Sequence, residues 1–197
     1  EAAHQMASTP CRGSVAVDGN LLGSVGFACG PEVAVLTAPG LRSPVAVGEG
    51  ELVVRGPSIT GGYLNLAEAN VDAFVDGWFR TGDIGTIGPD GVVRLVGRLK
   101  EMINVGGEKV SPVGIDDVLS SHPAVLEAAA FGVPSRLLGE EVASMVRGGT
   151  DVSPKELQRF ARDHLAKFKV PTTIVVVDQI PRNATGKVSR SLLRDLF

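Results

Sequence analysis

Apolar residues are distributed in two different textures along this chain. Up to about residue 97 they come in short runs rich in β-branched side chains, broken by Gly and Pro. Glu32-Val33-Ala34-Val35-Leu36-Thr37 and Glu51-Leu52-Val53-Val54-Arg55 have the length and composition of strands. Ile84–Ile87 and Val92–Val96 flank Pro89-Asp90-Gly91, a turn signal, and so predict a hairpin. Leu66, Asn70 and Phe74, with Ala67 and Val71, fall at helical spacing and predict a short helix over Leu66–Phe74. Beyond about residue 101 the texture changes. Ser111-Pro112 offers a cap and a first helical position for Val113–Leu119. Ser153-Pro154-Lys155-Glu156 has the form of a capping box and opens a helix to about Ala166, with Leu157, Phe160, Ala161 and Leu165 on its apolar face. Strands are expected at Val125–Phe131, Val142–Arg147 and Thr173–Val177, and a last helix at Ser189–Leu196. The expected fold class is α+β. A small antiparallel β unit covers residues 1–97, and a compact α+β domain covers 98–197, with the boundary near Gly97–Lys100.

Composition narrows the function classes. A chain of 197 residues with 44% hydrophobic residues has material for one core or two small ones. A net charge of −3 without a basic block gives no reason to expect nucleic acid, and no apolar run has the length of a membrane span. Cys11 and Cys29 suggest neither a disulfide framework nor a zinc site, and His4, His122 and His164 are too dispersed for a local metal motif. The opening Glu1-Ala2-Ala3-His4-Gln5-Met6 lacks the basic start and apolar stretch of a signal peptide. It reads as a cut inside a larger, cytoplasmic protein.

Three segments carry chemistry. Trp78-Phe79-Arg80-Thr81-Gly82-Asp83 ends on a carboxylate that can accept two hydrogen bonds from a ribose diol. Alone, Asp83 reads first as a turn residue bonding its own backbone. Gly97-Arg98-Leu99-Lys100-Glu101 places a planar guanidinium after a strand, suited to ribose or phosphate oxygens, or to a surface ion pair. Pro181-Arg182-Asn183-Ala184-Thr185-Gly186-Lys187-Val188-Ser189-Arg190 sets Lys187 on a Thr-Gly step before the last helix. It is not a P-loop, because the first Gly of that motif falls on Pro181, and Asn183-Ala184-Thr185 is a glycosylation triplet by letter only. Gly106-Gly107-Glu108-Lys109-Val110-Ser111-Pro112 reads as a Gly-rich loop entering a helix, open to close approach by a ligand or simply a turn.

Together these segments resemble the adenylate-forming family of acyl-CoA synthetases, peptide-synthetase adenylation domains and luciferases. The resemblance runs along essentially the whole chain and matches the last part of an enzyme more than twice as long. It implies a carboxylic acid substrate, ATP with Mg²⁺, and coenzyme A, with acyl-AMP as intermediate. It also implies that the missing N-terminal part of the same enzyme is the partner, and that this chain alone does not turn over. By resemblance Lys187 is the catalytic lysine of a mobile C-terminal domain, Asp83 and Arg98 contact the nucleotide, and Lys100 is the hinge. Gly106, Gly107, Glu108 and Lys109 face the pantetheine of CoA. Glu1 resembles the acidic end of the family's Thr-Glu motif, which implies that it helps hold Mg²⁺. Glu1–Met6 is similar to the oxalate–CoA ligase branch, which places His4 near the acyl pocket; a partly buried structural histidine is the equal alternative. Phe27 and Ser135 depart from that branch, where a basic residue and an Asp are common. Two other readings stay open, an enzyme that passes acyl-AMP to a carrier protein and a non-catalytic binding module.

Overall fold

The computed structural model describes residues 6–9, 21, 23–38, 40–149 and 153–197. The chain divides into two compact units, Glu1–Leu99 and Lys100–Phe197.

The first unit is a twisted antiparallel sheet. Its strands are β1 (Ala7–Ser8), β2 (Gly26–Ala28), β3 (Glu32–Leu36), β4 (Gly48–Arg55), β5 (Phe74–Val75), β6 (Trp78–Ile87) and β7 (Val92–Arg98). Their order is β1-β2-β7-β6-β4-β3, with β5 against β6. β6 and β7 form the hairpin expected from Pro89-Asp90-Gly91. Gly91 takes φ +79° and donates its N–H to Gly88 O, while Asp90 Oδ1 accepts the Val92 N–H. Alternation along the strands sends Val35, Leu52, Ile87 and Val93 to one face and Ala34, Leu36 and Val53 to the other. Helix α1 (Ala67–Ala73) forms where helical spacing places it, but not for the expected reason. None of its residues is buried, and Leu66 and Val71 are exposed. The amide of Asn70 ties it down instead, accepting from Tyr63 N–H at 2.7 Å and donating to Tyr63 O at 2.9 Å.

The second unit is a five-stranded sheet in the order β10-β11-β8-β9, with β12 beside β11. Its strands are β8 (Ile103–Val105), β9 (Glu108–Val110), β10 (Val125–Ser135), β11 (Gly139–Gly148) and β12 (Thr173–Val176). Its helices are α2 (Pro112–Ser120), α3 (Pro154–His164) and α4 (Arg190–Asp195). The near-continuous apolar runs in β10 and β11 reflect burial of both sheet faces. Ala130, Val142 and Val146 meet Ile115 and Leu119 of α2 and Leu157 and Ala161 of α3. Ala129, Phe131, Ala143 and Met145 meet Ile180 and Leu193 on the opposite side.

Two local expectations are revised. Ser153 makes no side-chain cap bond, so the capping box is not closed; Pro154 at the first helical position and the Leu157 N–H to Ser153 O bond start α3. Glu156 lies 4.0 Å from His122 Nε2 instead. Gly106-Gly107 is the two-residue tip of the β8–β9 hairpin, with φ +61° and +95°, and not the entry to a helix. Both residues sit at left-handed φ, the conformation that two-residue hairpin turns demand and glycine supplies.

Among the described residues, one buried hydroxyl has no partner. Ser144 on β11 is fully buried and its Oγ makes no hydrogen bond. Ser144→Ala removes an unsatisfied polar atom and is expected to stabilise the chain by about 1 kcal/mol. A raised midpoint in urea denaturation is the expected reading; a lowered one shows that the hydroxyl does have a partner.

Candidate functional site

The first unit brings Asp83 and Arg98 together. They face each other across β6 and β7, and Arg98 Nε lies 2.7 Å from Asp83 Oδ1. Asp83 does not sit in a turn between strands, as expected, but in a bulge inside β6. Between the pairs Glu51↔Ile84 and Val53↔Arg80, β6 carries two more residues than β4, so Thr81-Gly82-Asp83 bows out of the ladder. Gly82 reaches φ +71° there.

The bulge has a built support. Glu51, 7% exposed, receives Arg80 Nε and Nη2 on Oε2 at 3.0 and 2.6 Å, and the Gly82 N–H on Oε1 at 3.3 Å. Thr81 Oγ1 donates to Leu52 O at 2.8 Å and accepts the Asp83 N–H at 3.0 Å. Arg98 Nη1 donates to Thr81 O at 3.3 Å. Burial pushes the Asp83 carboxyl above its ordinary value, while the Arg98 charge and Thr81 pull it down. Arg98 engages one oxygen, and a carboxylate has about four acceptor positions, so capacity for a vicinal diol remains.

The second unit carries the remaining candidates. Lys187 is exposed, and its ammonium makes no hydrogen bond or ion pair among the described residues. Its backbone, in contrast, is tightly braced. Asn183 Oδ1 accepts the Thr185 N–H at 3.0 Å, the Thr185 hydroxyl at 2.7 Å and the Lys187 N–H at 2.9 Å. Asn183 N–H donates to Lys187 O and Gly186 N–H to Asn183 O, with Gly186 at φ +79°. Arg182 Nη1 donates to Gly186 O at 3.0 Å, and its Nη2 pairs with Glu127 of β10. The Thr-Gly step is therefore a stapled loop that holds one uncompensated positive charge.

Lys100, the first residue of the second unit, is exposed in a 3₁₀ turn, Leu99–Glu101, and its side chain is unpaired among the described residues. Glu101, one residue on, bonds Arg190 Nε at 2.9 Å. Gly106, Gly107, Glu108 and Lys109 are all exposed at the β8–β9 tip. Gly106 N–H donates to Leu138 O at 2.8 Å and Gly107 N–H to Asn104 Oδ1 at 3.0 Å, which anchors the tip to the β10–β11 turn. Asn104 N–H donates to Glu140 Oε2, whose other oxygen takes Arg194 Nη2, both at 2.8 Å. Glu1 and His4 lie outside the described residues.

Motif reading missed the supporting residues Glu51, Asp116, Glu127 and Arg190. An acid opening the apolar run Glu51-Leu52-Val53-Val54 was one available signal, since a buried carboxylate demands a partner. Arg190 and Arg194, one helical turn apart, were another.

If Asp83 holds a ribose, as the motif resemblance implies, Asp83→Ala in the enzyme that carries this chain raises KM for ATP about tenfold with kcat little changed, because such a contact serves ground and transition states alike. A large fall in kcat at unchanged KM contradicts that role.

Residues 114–187 match the AMP-binding enzyme C-terminal domain. The chain is 45% identical to a probable CoA ligase, CCL9, of Humulus lupulus, over 100% of this chain and 37% of that protein. It is 43% identical to an oxalate–CoA ligase of Arabidopsis thaliana, over 100% of this chain and 38% of the relative. Among solved structures, ATP-bound MatB from Rhodopseudomonas palustris superposes with a TM-score of 0.82 at 35% identity, covering 88% of this chain and 35% of that one. The o-succinylbenzoate CoA synthetase of Bacillus subtilis with its acyl-adenylate intermediate superposes at 0.81 and 33% identity, covering 89% and 36%. The chain thus spans little more than a third of the length of the relatives it matches. Motifs, fold and relatives agree: the chain belongs to the adenylate-forming, AMP-binding enzymes, and residues 114–187 match their C-terminal domain.

Proposed function

We propose that this chain is the C-terminal part of an ATP-dependent acyl-CoA ligase. In the first half-reaction a carboxylate oxygen of the acid attacks the α-phosphorus of ATP. A P–O bond forms and pyrophosphate leaves. In the second the CoA thiolate attacks the acyl carbon and AMP departs, leaving the thioester.

The observation that carries the reading is the unpaired ammonium of Lys187 on a braced loop. Two anions approach in the first step and negative charge builds on the transferring group. A preorganised cation lowers that barrier without reorganising as charge develops. Asp83 and Arg98 hold the ribose and adjacent oxygens, and their mutual ion pair fixes both before the nucleotide arrives. The exposed Gly106-Gly107 tip, with Glu108 and Lys109, lets a pantetheine arm pass close to backbone. Mg²⁺ accompanies ATP in this reading. Among the described residues no group of three His, Cys, Asp or Glu could hold a metal ion, and Glu1 remains the proposed ligand. The phosphate-binding loop and most of the acyl pocket belong to the N-terminal part of the enzyme.

The acid proposed is small and dicarboxylic, oxalate first. Glu1–Met6 supports this, with His4 donating to the second carboxylate, and so does the 43% identity to oxalate–CoA ligases of two organisms. The enzyme carrying this chain is to be assayed with oxalate, malonate, acetate and a medium-chain fatty acid, following pyrophosphate release and thioester separately. Oxalate preferred over acetate, with the preference lowered in His4→Ala, supports the substrate; preference for the fatty acid removes it. Acyl-AMP without thioester assigns transfer to a carrier protein. No pyrophosphate with any acid leaves a binding module.

A further inference from the structure

β10 is an edge strand, and three backbone groups on its free edge are met by side chains. Ala130 N–H donates to Asp116 Oδ1 of α2 at 2.5 Å, and Ala130 O accepts Arg190 Nη1 of α4 at 2.6 Å. Gly132 O, two residues on, accepts Arg194 Nε at 2.8 Å. Strand and helix repeats of similar length let two arginines one helical turn apart bind alternate strand carbonyls. Arg190 then goes further. Its Nη2 lies 2.8 Å from Asp116 Oδ2 and its Nε 2.9 Å from Glu101 Oε2. One mostly buried guanidinium therefore joins the residue after Lys100, helix α2 and strand β10. Burial pushes the Asp116 carboxyl up to about 6 against the pull of Arg190.

Arg190 stands three residues after Lys187. Val188, between them, packs against the second core cluster. At its other end the Lys187 loop is held by Arg182 and Glu127. Glu101 makes no side-chain hydrogen bond among the described residues other than to Arg190, and Lys100 makes none. The step at Lys100 and the Lys187 loop thus share one rigid fork, although 89 residues separate Glu101 from Arg190.

We infer that Arg190 is a positioning residue: through Glu101 it locks the chain just past the hinge step to the Lys187 loop, so that rotation at Lys100 delivers the ammonium to a defined place. The inference rests on the adenylation role proposed for Lys187. A lysine at 190 keeps the charge but cannot span three acceptors with a planar fork.

The test uses Glu101→Ala and Arg190→Lys in the enzyme that carries this chain, alone and combined with Lys187→Ala. Glu101 lies at the surface and its loss leaves the core intact, so Glu101→Ala reads positioning where Arg190→Lys also reads packing. Each single variant is expected to lower kcat for acyl-adenylate formation about tenfold with KM for ATP unchanged, the cost of a small misplacement of a charged group. In the Lys187→Ala background Glu101→Ala is expected to cost nothing further, because a residue acting through Lys187 has nothing left to place. A wild-type kcat in Glu101→Ala, a rise in KM in place of a fall in kcat, or the same tenfold loss in the Lys187→Ala background overturns the inference. If Lys187→Ala itself leaves adenylation intact, the functional reading fails and not only this one.

Discussion

Lys187→Ala, in the enzyme that carries this chain, is expected to cut acyl-adenylate formation about 100-fold while leaving thioester formation from supplied acyl-AMP near wild type. The asymmetry follows from where charge develops. Attack on the α-phosphorus concentrates negative charge on phosphate oxygens, and removing one preorganised donor costs about 3 kcal/mol. Thiolate attack on a carbonyl, with AMP leaving, makes no call on that ammonium. The Lys187 N–H is held by Asn183 Oδ1 and the preceding Gly186 carbonyl by Arg182, and truncation at Cβ disturbs neither bond. The fold is thus expected to survive, with an unchanged denaturation midpoint. Single-turnover measurement of pyrophosphate release and, separately, of thioester from acyl-AMP checks both halves. Equal loss in the two half-reactions removes the phosphoryl-transfer role.

The second large effect is expected at Lys100. Proline there fixes φ and biases Leu99 away from the helical region, in the 3₁₀ turn Leu99–Glu101 that joins the two units. A hinge absorbs its rotation in one or two such residues. An enzyme that uses two orientations of its C-terminal domain then keeps only one. Lys100→Pro is expected to spare one half-reaction within a few-fold and to lower the other about 100-fold, the scale of loss when a reacting group is displaced by ~1 Å. Lys100→Ala in parallel separates the loss of charge from the loss of rotation. Wild-type overall turnover in Lys100→Pro removes the hinge role.

Much of the fold was legible because it is written locally. Pro112 and Pro154 mark helix starts, Pro89-Asp90-Gly91 marks a hairpin, and the apolar runs of β10 and β11 carry β-branched and small residues at strand length. These signals act within a few residues of each other, through φ restriction, turn chemistry and side-chain alternation. The candidate residues Asp83, Arg98 and Lys187 were singled out for a related reason: each sits in a short contiguous segment whose residue types suit the chemistry proposed for it. Where local reading misjudged, a side-chain contact without a sequence signal had intervened. α1 forms at its expected place but leans on the Asn70 amide rather than an apolar face, and the α3 capping box stays open while Glu156 turns toward His122.

The sequence by itself determined the α+β class, the starts of α2 and α3, the β6–β7 hairpin and the three segments read for chemistry. Only the tertiary structure decided how those segments are held. Asp83 stands in a bulge because the β4–β6 register leaves two residues over, and Glu51 can steady that bulge only once β4 lies beside it. Glu127 reaches Arg182 across 55 residues and Asp116 reaches Arg190 across 74. Such pairs have no periodicity to betray them. They exist because strand register and helix docking close long loops, and a buried or half-buried charge is stable only where that closure supplies its counter-charge.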